Sequence, residues 1–423
     1  MRLFLLSGFL IIYSFLHAQN LPVITESEVS RIEKILAADD MQGRQVFTTG
    51  IEKAAAFIAK EFSQTGLKPL PGSKDYNQTF EMIEPESTDA SMILNGKPIG
   101  KKNLTAFSAE SSLTISQDDH YQIVYVKKAV DFNETVLKYL ESEENALIMV
   151  DTSLARKFSR LADLHMPQFS GKGNRIYVLS SEDPVQYRIV IKQKIKKQSL
   201  TNLIGMMPGK SKPDEYVIFS AHYDHLGIGK ADAAGDSIYN GANDDASGTT
   251  AVIALAAYFS KVHNNERTLI FAAFTAEEIG EFGSAFFSGK FNPEKVVAML
   301  NIEMIGTESK WGRNSAYITG YDRSDLGSIL QKNLGNTPFK FYPDPYPEQQ
   351  LFLRSDNASL AKRGVPAHSI STSKMDVEKY YHQPGDEVGT LDLTNMTEII
   401  RAIGLSASSI ISGKDTPTRV QME

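Results

Sequence analysis

YVIFSAHYDHLGIGKADAAGDSIYNGANDDASG, residues 216–248, passes from a continuous apolar run through a turn rich in histidine and acid to the start of a helix. Residues 216–221 read as a buried strand, because a short apolar run bounded by polar residues suits a strand covered on both faces. Residues 249–262 read as the helix. Between them lie His222, Asp224, Asp244 and Asp245, with Gly241 and Gly248 allowing tight turns around the two aspartates. An imidazole and three carboxylates gathered into one connection suggest a metal ion.

Outward from this stretch, strand, loop and helix repeat. Residues 267–275, 296–302, 315–320 and 365–371 read as further strands and residues 393–411 as a closing helix. The expected fold is therefore α/β, a mixed, mostly parallel central sheet flanked by helices. Upstream, residues 26–70 carry helical periodicity, with Ile32, Ile35 and Leu36 and then Ala54, Phe57, Ile58 and Phe62 recurring at three- and four-residue intervals. Gly66, Pro69 and Pro71 stop that pattern. From 84 to 198 the character changes to short strand-like runs (121–126, 146–150, 175–179, 188–191), read as an inserted, strand-rich accessory domain. The expected division is a leader over 1–18, a first catalytic part over 19–83, the insert over 84–198 and the main part over 199–423.

In open sheets of this kind ligands gather at the carboxyl ends of the strands, and the acids fall there. His222 and Asp224 follow the first strand, Glu277 and Glu278 the second, Glu303 the third, and His382 lies in YYHQPGDE after the last. Two imidazoles and three or more carboxylates make an N/O site suited to zinc, or to manganese or cobalt in its place. With this many acids a site for two ions is favoured, because a shared carboxylate offsets the repulsion between them. Taken singly, Asp244 or Asp245 would be a helix cap, Glu277 and Glu278 a solvated pair, and either histidine structural. Their joint position at successive strand ends argues for a site. His120, His165, His225, His263 and His368 lack that support and are read as structural, and Asp322 and Asp325 as caps of a helix near Ser324.

The bulk composition narrows the class. The 423 residues are 42% hydrophobic and 22% charged, enough to bury a large core. A net charge of −7 provides no basic surface for nucleic acid. The absence of cysteine excludes disulfides, thiolate catalysis and cysteine-ligated zinc. Arg2, an apolar run over 3–16 and His17-Ala18-Gln19 read as a secretory signal cut near Ala18. That run is shorter than the ~20 residues of a membrane span. The expected protein is exported, periplasmic or extracellular, with no stable span.

AHYDHLG, NGANDDASG, FTAEEIGEFGS, NIEMIG and YYHQPGDE, in this order, resemble the zinc-dependent exopeptidase family of bacterial leucyl aminopeptidases and glutamate carboxypeptidases. The resemblance covers residues 202 to the C-terminus and extends weakly to MQGRQVFTTGIEKAAAFIAKEF at 41–62. It implies a secreted di-zinc aminopeptidase acting on peptides, with His222 and Glu303 on one zinc, Glu278 and His382 on the other, and Asp244 bridging them. It further implies that Asp224 holds the His222 ring in its metal-binding tautomer, that Asp245 follows a cis peptide bond, and that Glu277 is the general base. Tyr381 matches a tyrosine that donates to the oxyanion in the carboxypeptidase branch. Glu303 stands where many relatives have Asp.

Three other readings stay open beside the aminopeptidase. A carboxypeptidase for acidic dipeptides would need cations near the substrate, for which Arg313, Arg323 and Arg354 are the candidates. A glutaminyl cyclase on this scaffold uses one zinc and lacks part of the ligand set, and receptor-like relatives have lost ligands and base. All five ligand positions are filled here. The accessory segment resembles a protease-associated insert, and the substrate pocket is expected from residues 306–314 and 336–356.

Overall fold

The computed structural model describes residues 23–140, 142–162, 167–169 and 173–422. The expected leader and His165 lie outside these residues. Helices α1 (Glu26–Leu36) and α2 (Thr49–Gln64) open the described chain. Strands β1 (Asn77–Leu94) and β2 (Tyr187–Met207) flank the inserted segment. There follow β3 (Lys212–His222), helix α3 (Ser247–Val262), β4 (Arg267–Phe274) and β5 (Val296–Ile302). The last elements of the main body are β6 (Ser315–Ile318), β7 (Lys340–Pro343), β8 (Ala367–Ser371) and helix α4 (Leu393–Ser406).

An eleven-stranded sheet runs in the order β7-β6-β8-β5-β3-β4-β2-β1 and ends on the short strand Lys97–Ile99, with Ser112–Ser116 paired to β2 and Gln168–Phe169 to β1 off this path. It is mixed. Parallel ladders join β3 to β4 and β5, β5 to β8, and β6 to β7. The pairs β6–β8, β4–β2 and β2–β1 are antiparallel. The expected mostly parallel character is thus confined to the part built from residues 212–371, because β1 and β2 join the same sheet as an antiparallel ribbon.

The central strands are apolar throughout because both faces are covered. Val217, Phe219 and Ala221 on β3, Leu269, Phe271 and Ala273 on β4, and Ala298, Leu300 and Ile302 on β5 belong to one buried cluster. Ile218, Ile270, Ala272, Phe274 and Met299 belong to the other. This two-residue alternation divides the side chains between the two faces of the sheet. The first face is packed by α1, α2, α3 and α4, and α3 is buried along most of its length. The second is packed by Phe287, Leu360, Ala361 and Val365.

β1 and β2 run far beyond the usual strand length of 3–10 residues. They stay paired from Asn77↔Leu203 to Leu94↔Tyr187, with a bulge between Pro85 and Ser87. The boundaries read from the sequence at 84 and 198 fall inside this ribbon, where Glu84 faces Lys196. Beyond it, Leu104–Phe107, Arg175–Leu179, Ala146–Val150 and Gln122–Val126 form a separate four-stranded sheet. Helices Ala129–Leu140 and Ala155–Ala162 accompany that sheet, which has its own buried clusters. Among the described residues, no helix is long and apolar enough to cross a membrane.

Candidate metal centre and active site

The parallel order β4-β3-β5 brings three strand ends side by side, and each delivers its acids or imidazole on leaving the sheet. His222 is the last residue of β3, Glu277 and Glu278 follow β4, and Glu303 follows β5. Ala276, Met304 and His382 all have positive φ (60°, 50° and 56°). Left-handed backbone is uncommon outside glycine and gathers at functional sites. Here it turns the chain sharply beside Glu277, beside Glu303 and at His382 itself.

Between β3 and α3, the loop 241–247 is laced to the turn after β5 by its own side chains. Asp245 Oδ1 accepts from the amide of Met304 at 3.0 Å, Ser247 Oγ from that of Ile305 at 3.0 Å, and Asn243 Oδ1 from that of Gly306 at 2.8 Å. Asp245 Oδ1 also accepts from the amide of Gly248 at 3.0 Å, at the start of α3. The peptide bond between Asp244 and Asp245 is cis. These contacts fix where the Asp244 carboxylate points.

It points between two imidazoles. Asp244 Oδ1 lies 3.3 Å from His222 Nε2, and Asp244 Oδ2 lies 3.2 Å from His382 Nε2. His222 Nε2 is 3.5 Å from Glu303 Oε1, and His382 Nε2 is 3.2 Å from Glu278 Oε2. Two ligands about 2.0–2.2 Å from a tetrahedral zinc sit ~3.4 Å apart, so these separations suit donor atoms around an ion. Asp244 Oδ2 is buried and accepts no hydrogen bond, as is also true of Asp245 Oδ2.

Charge gives the same indication. Burial alone would lower the pKa of His222, but Glu277, Glu303 and Asp244 outweigh it and raise the pKa well above the usual value. Burial would likewise lower His382, yet Asp244 and Glu278 carry it up to about 10. Against its own burial, Asp244 is held well below the usual carboxylate range by the two imidazoles. Glu277 is raised well above its ordinary value, foremost by burial and then by the charges of Glu303, Asp356 and Glu278, with His222 opposing. The surrounding carboxylates thus favour the charged form of both imidazoles. The N/O donor set, the ligand spacing and the orphaned Asp244 oxygen fit one or two divalent ions of the zinc type.

The site residues named from the sequence lie in or beside this cluster, some by unexpected contacts. Asp224 reaches the His222 ring through its main chain, since Nδ1 lies 3.1 Å from its carbonyl oxygen and 3.8 Å from the carboxylate. That carboxylate instead accepts from the amides of Glu277 at 3.1 Å and Glu278 at 3.3 Å, aligning the two glutamates. Burial and the Glu278 charge push Asp224 up to about 6 against the pull of His222. Tyr381 stacks on His382, with ring centroids 3.9 Å apart. Of the residues read as structural, His368 is one, its nitrogens meeting Thr319 O at 2.8 Å and Ser324 Oγ at 2.7 Å. Asp325 stands at a helix N-cap position but makes no capping bond, its Oδ1 accepting from Thr418 instead.

Three features escaped the sequence reading. His225 is not remote from the site: its Nδ1 lies 2.7 Å from Glu278 Oε1. Its spacing of three from His222 within HYDH was the available signal. Asp386, four residues after His382, accepts from the amides of Asn243 at 2.8 Å and Asp244 at 3.0 Å. Beneath Glu303, Ser355 Oγ donates to Oε2 at 2.7 Å, and Asn301 supports Ser355 from 2.9 Å while accepting from Ser220 at 2.8 Å. No sequence pattern marks that buried polar chain.

A cavity of about 60 Å³ opens onto the cluster, with Glu277, Glu303, Tyr381 and His382 among its walls. Met304, Tyr317, Leu351 and Met375 give it apolar surface, and Arg354 is also in its lining. Segment 336–356 contributes Leu351, Arg354 and Ser355 as expected, but no residue from 306–314 lines it apart from this. That side is supplied by β6, β8 and the residues just after them, because these strands end beside the site.

Residues 202–406 match the model of peptidase family M28. A leucine aminopeptidase 2 of Trichophyton equinum is 28% identical over 307 residues, 64% of this chain and 57% of that protein. A probable zinc metalloprotease of Leptosphaeria maculans is 31% identical over 136 residues, 32% of this chain and 30% of that protein. The chain thus spans between about a third and somewhat over half of these relatives. In fold it is similar to a zinc aminopeptidase of Bacillus subtilis (TM-score 0.55, 17% identity, 96% of this chain and 100% of that one). It is also similar to an aminopeptidase from Aneurinibacillus sp. strain AM-1 (TM-score 0.54, 15% identity, 95% and 96%). Residues 202–406, just under half of the chain, thus match peptidase family M28, and the chain is similar over part of its length to these relatives and in fold to the two aminopeptidases.

Proposed function

We propose that this chain is an exported di-zinc exopeptidase, an aminopeptidase that releases N-terminal residues from peptides. The observation that carries the reading is the placing of Asp244 between two imidazoles, each with its own glutamate. In this reading His222 and Glu303 would hold one zinc and Glu278 and His382 the other, with Asp244 available to both. Bound zinc would supply Lewis acidity, lowering the pKa of a water and polarising the scissile carbonyl.

The chain's own residues account for the rest. Glu277 lines the cavity, with Oε2 4.0 Å from His222 Nε2. Its carboxylate takes a proton from the attacking water and returns it to the leaving amine nitrogen. A carboxylate outside the ligand set but beside dications would stay ionised, as a base must be. The Tyr381 hydroxyl is held protonated above the usual phenol range, foremost by burial and then by the surrounding acids, and serves as a donor to the oxyanion. Asp224 and Asp245 fix the backbone from which these groups project.

The names of the Trichophyton and Bacillus proteins favour an aminopeptidase. So does the scarcity of cations at the cavity. Arg313 is paired with Asp392 at 2.9 Å and Arg323 lies over Phe352, so that among the described residues Arg354 is the one arginine in its lining. The apolar run at 3–16 supports export, and the separate sheet within 84–198 supports an inserted accessory unit. Aminoacyl arylamides assayed with and without a chelator test the reading. Hydrolysis that stops with the chelator and returns with zinc is expected, and no metal-dependent hydrolysis across the panel would overturn it.

A further inference from the structure

We infer that His225 is a positioning residue for the second ion: it pins one oxygen of Glu278 so that only the other faces the metal. The inference rests on the proposed role of Glu278 as a ligand. His225 Nδ1 and Glu278 Oε1 are 2.7 Å apart. Two atoms bound to one tetrahedral zinc would be ~3.4 Å apart, so this pair is too close to share an ion and is a hydrogen bond instead. A carboxylate accepts, so the ring proton sits on Nδ1. The opposite oxygen, Oε2, stands 3.2 Å from His382 Nε2, within the range of ligand spacings found across the site.

The two oxygens of Glu278 therefore have different tasks. Oε1 is held in the core by a ring whose side chain is fully buried, and Oε2 is left facing His382 and Asp244. The alternative, His225 as a ligand in its own right, is suggested by its place within 4.8 Å of Asp244 and Glu278. It is disfavoured because Nδ1 is already committed to Oε1 and lies 3.9 Å from Asp244 Oδ2. The ring's other nitrogen, Nε2, is buried without a partner among the described residues. An imidazole protonated on Nδ1 and bare at Nε2 avoids leaving an unpaired N–H there.

Three variants separate the donor from the bulk of the ring. His225→Asn keeps an N–H at the position of Nδ1. His225→Leu has the same number of side-chain heavy atoms as Asn in the same branched arrangement but no donor, and His225→Phe fills the space of the ring without one. Zinc is titrated into each metal-stripped protein against a chromogenic chelator, with apo-state circular dichroism and melting temperature as the folding control. Partners of this kind typically change metal affinity 10–100-fold. One of the two zinc sites is expected to lose about that much in His225→Leu and His225→Phe, while the other is unchanged and His225→Asn stays within about threefold of wild type. The inference is overturned if either donor-less variant that passes the folding control holds its second zinc as tightly as wild type. It is equally overturned if His225→Asn is as defective as His225→Leu, because the ring itself is then what the site requires. A wild-type protein that binds fewer than two zinc ions would instead remove the proposed two-ion site, and this inference with it.

Discussion

Glu277 and Glu278 are adjacent in sequence and opposite in environment. Glu278 is lowered despite burial and the nearby Asp244, because His225 and His382 hydrogen-bond to it, whereas Glu277 has no such partner and is raised. The proposed division assigns Glu278, held by His225 at 2.7 Å and 3.2 Å from His382, as ligand and Glu277 as base. Glu277→Gln preserves shape and removes the base, so it is expected to bind zinc as wild type does and to lose about 10²–10⁴ in kcat. Retained turnover at normal zinc content would remove Glu277 from the role. Glu277, Glu278, Glu303 and His222 were legible in the sequence because each directly follows an apolar run that could only be a buried strand. His225 and Asp386 were not, since their roles arise from turns that fold back onto the site. A lone histidine or a loop aspartate carries no periodicity to reveal such a contact.

At the scale of elements, α1 lies against α3 through a buried glutamate. Glu33 is fully buried, its Oε2 accepts from Thr250 Oγ1 at 2.8 Å, and its Oε1 has no partner. Burial foremost pushes its pKa up to about 8, against the lowering influence of Thr250 and Arg44. The folded state therefore keeps a proton that the unfolded chain releases above its ordinary value of 4.5. Stability from this group is highest below that value and falls as pH rises towards 8, by up to about 1.4 kcal/mol per pH unit within the window. Gln cannot titrate, so Glu33→Gln should show a flatter stability profile between pH 5 and pH 8 in urea unfolding of metal-stripped protein. Parallel profiles for the two proteins would contradict the assignment. Element boundaries were readable where burial is two-sided, as at β5, whose limits match the apolar run at 296–302. They were not readable along β2, where the exposed Lys192, Lys194, Lys196 and Lys197 hide a strand that continues to Met207.

For the whole molecule, the sheet explains why residues from distant parts of the chain meet. β4, β3 and β5 are neighbours through parallel ladders, so their carboxyl ends share one edge, and the segment between α1 and α2 anchors the assembly from outside the family match. There Arg44 is buried and donates to the carbonyls of Leu36, Tyr223 and Gly241, each at 2.9 Å, tying the N-terminal helices to both sides of the 223–241 connection. The opening stretch 216–248 thus contributes His222 and Asp244 to the cluster, while its position depends on Arg44, Asp386 and the turn after β5. The central claim is that this assembled site removes residues from free N-termini. It is tested most directly by incubating the zinc-loaded protein with one peptide in free and N-acetylated forms and following the products by mass spectrometry. Stepwise loss of N-terminal residues from the free peptide, with the acetylated peptide left intact, is the expected result; equal cleavage of both forms, or loss of residues from the C-terminus, would contradict it.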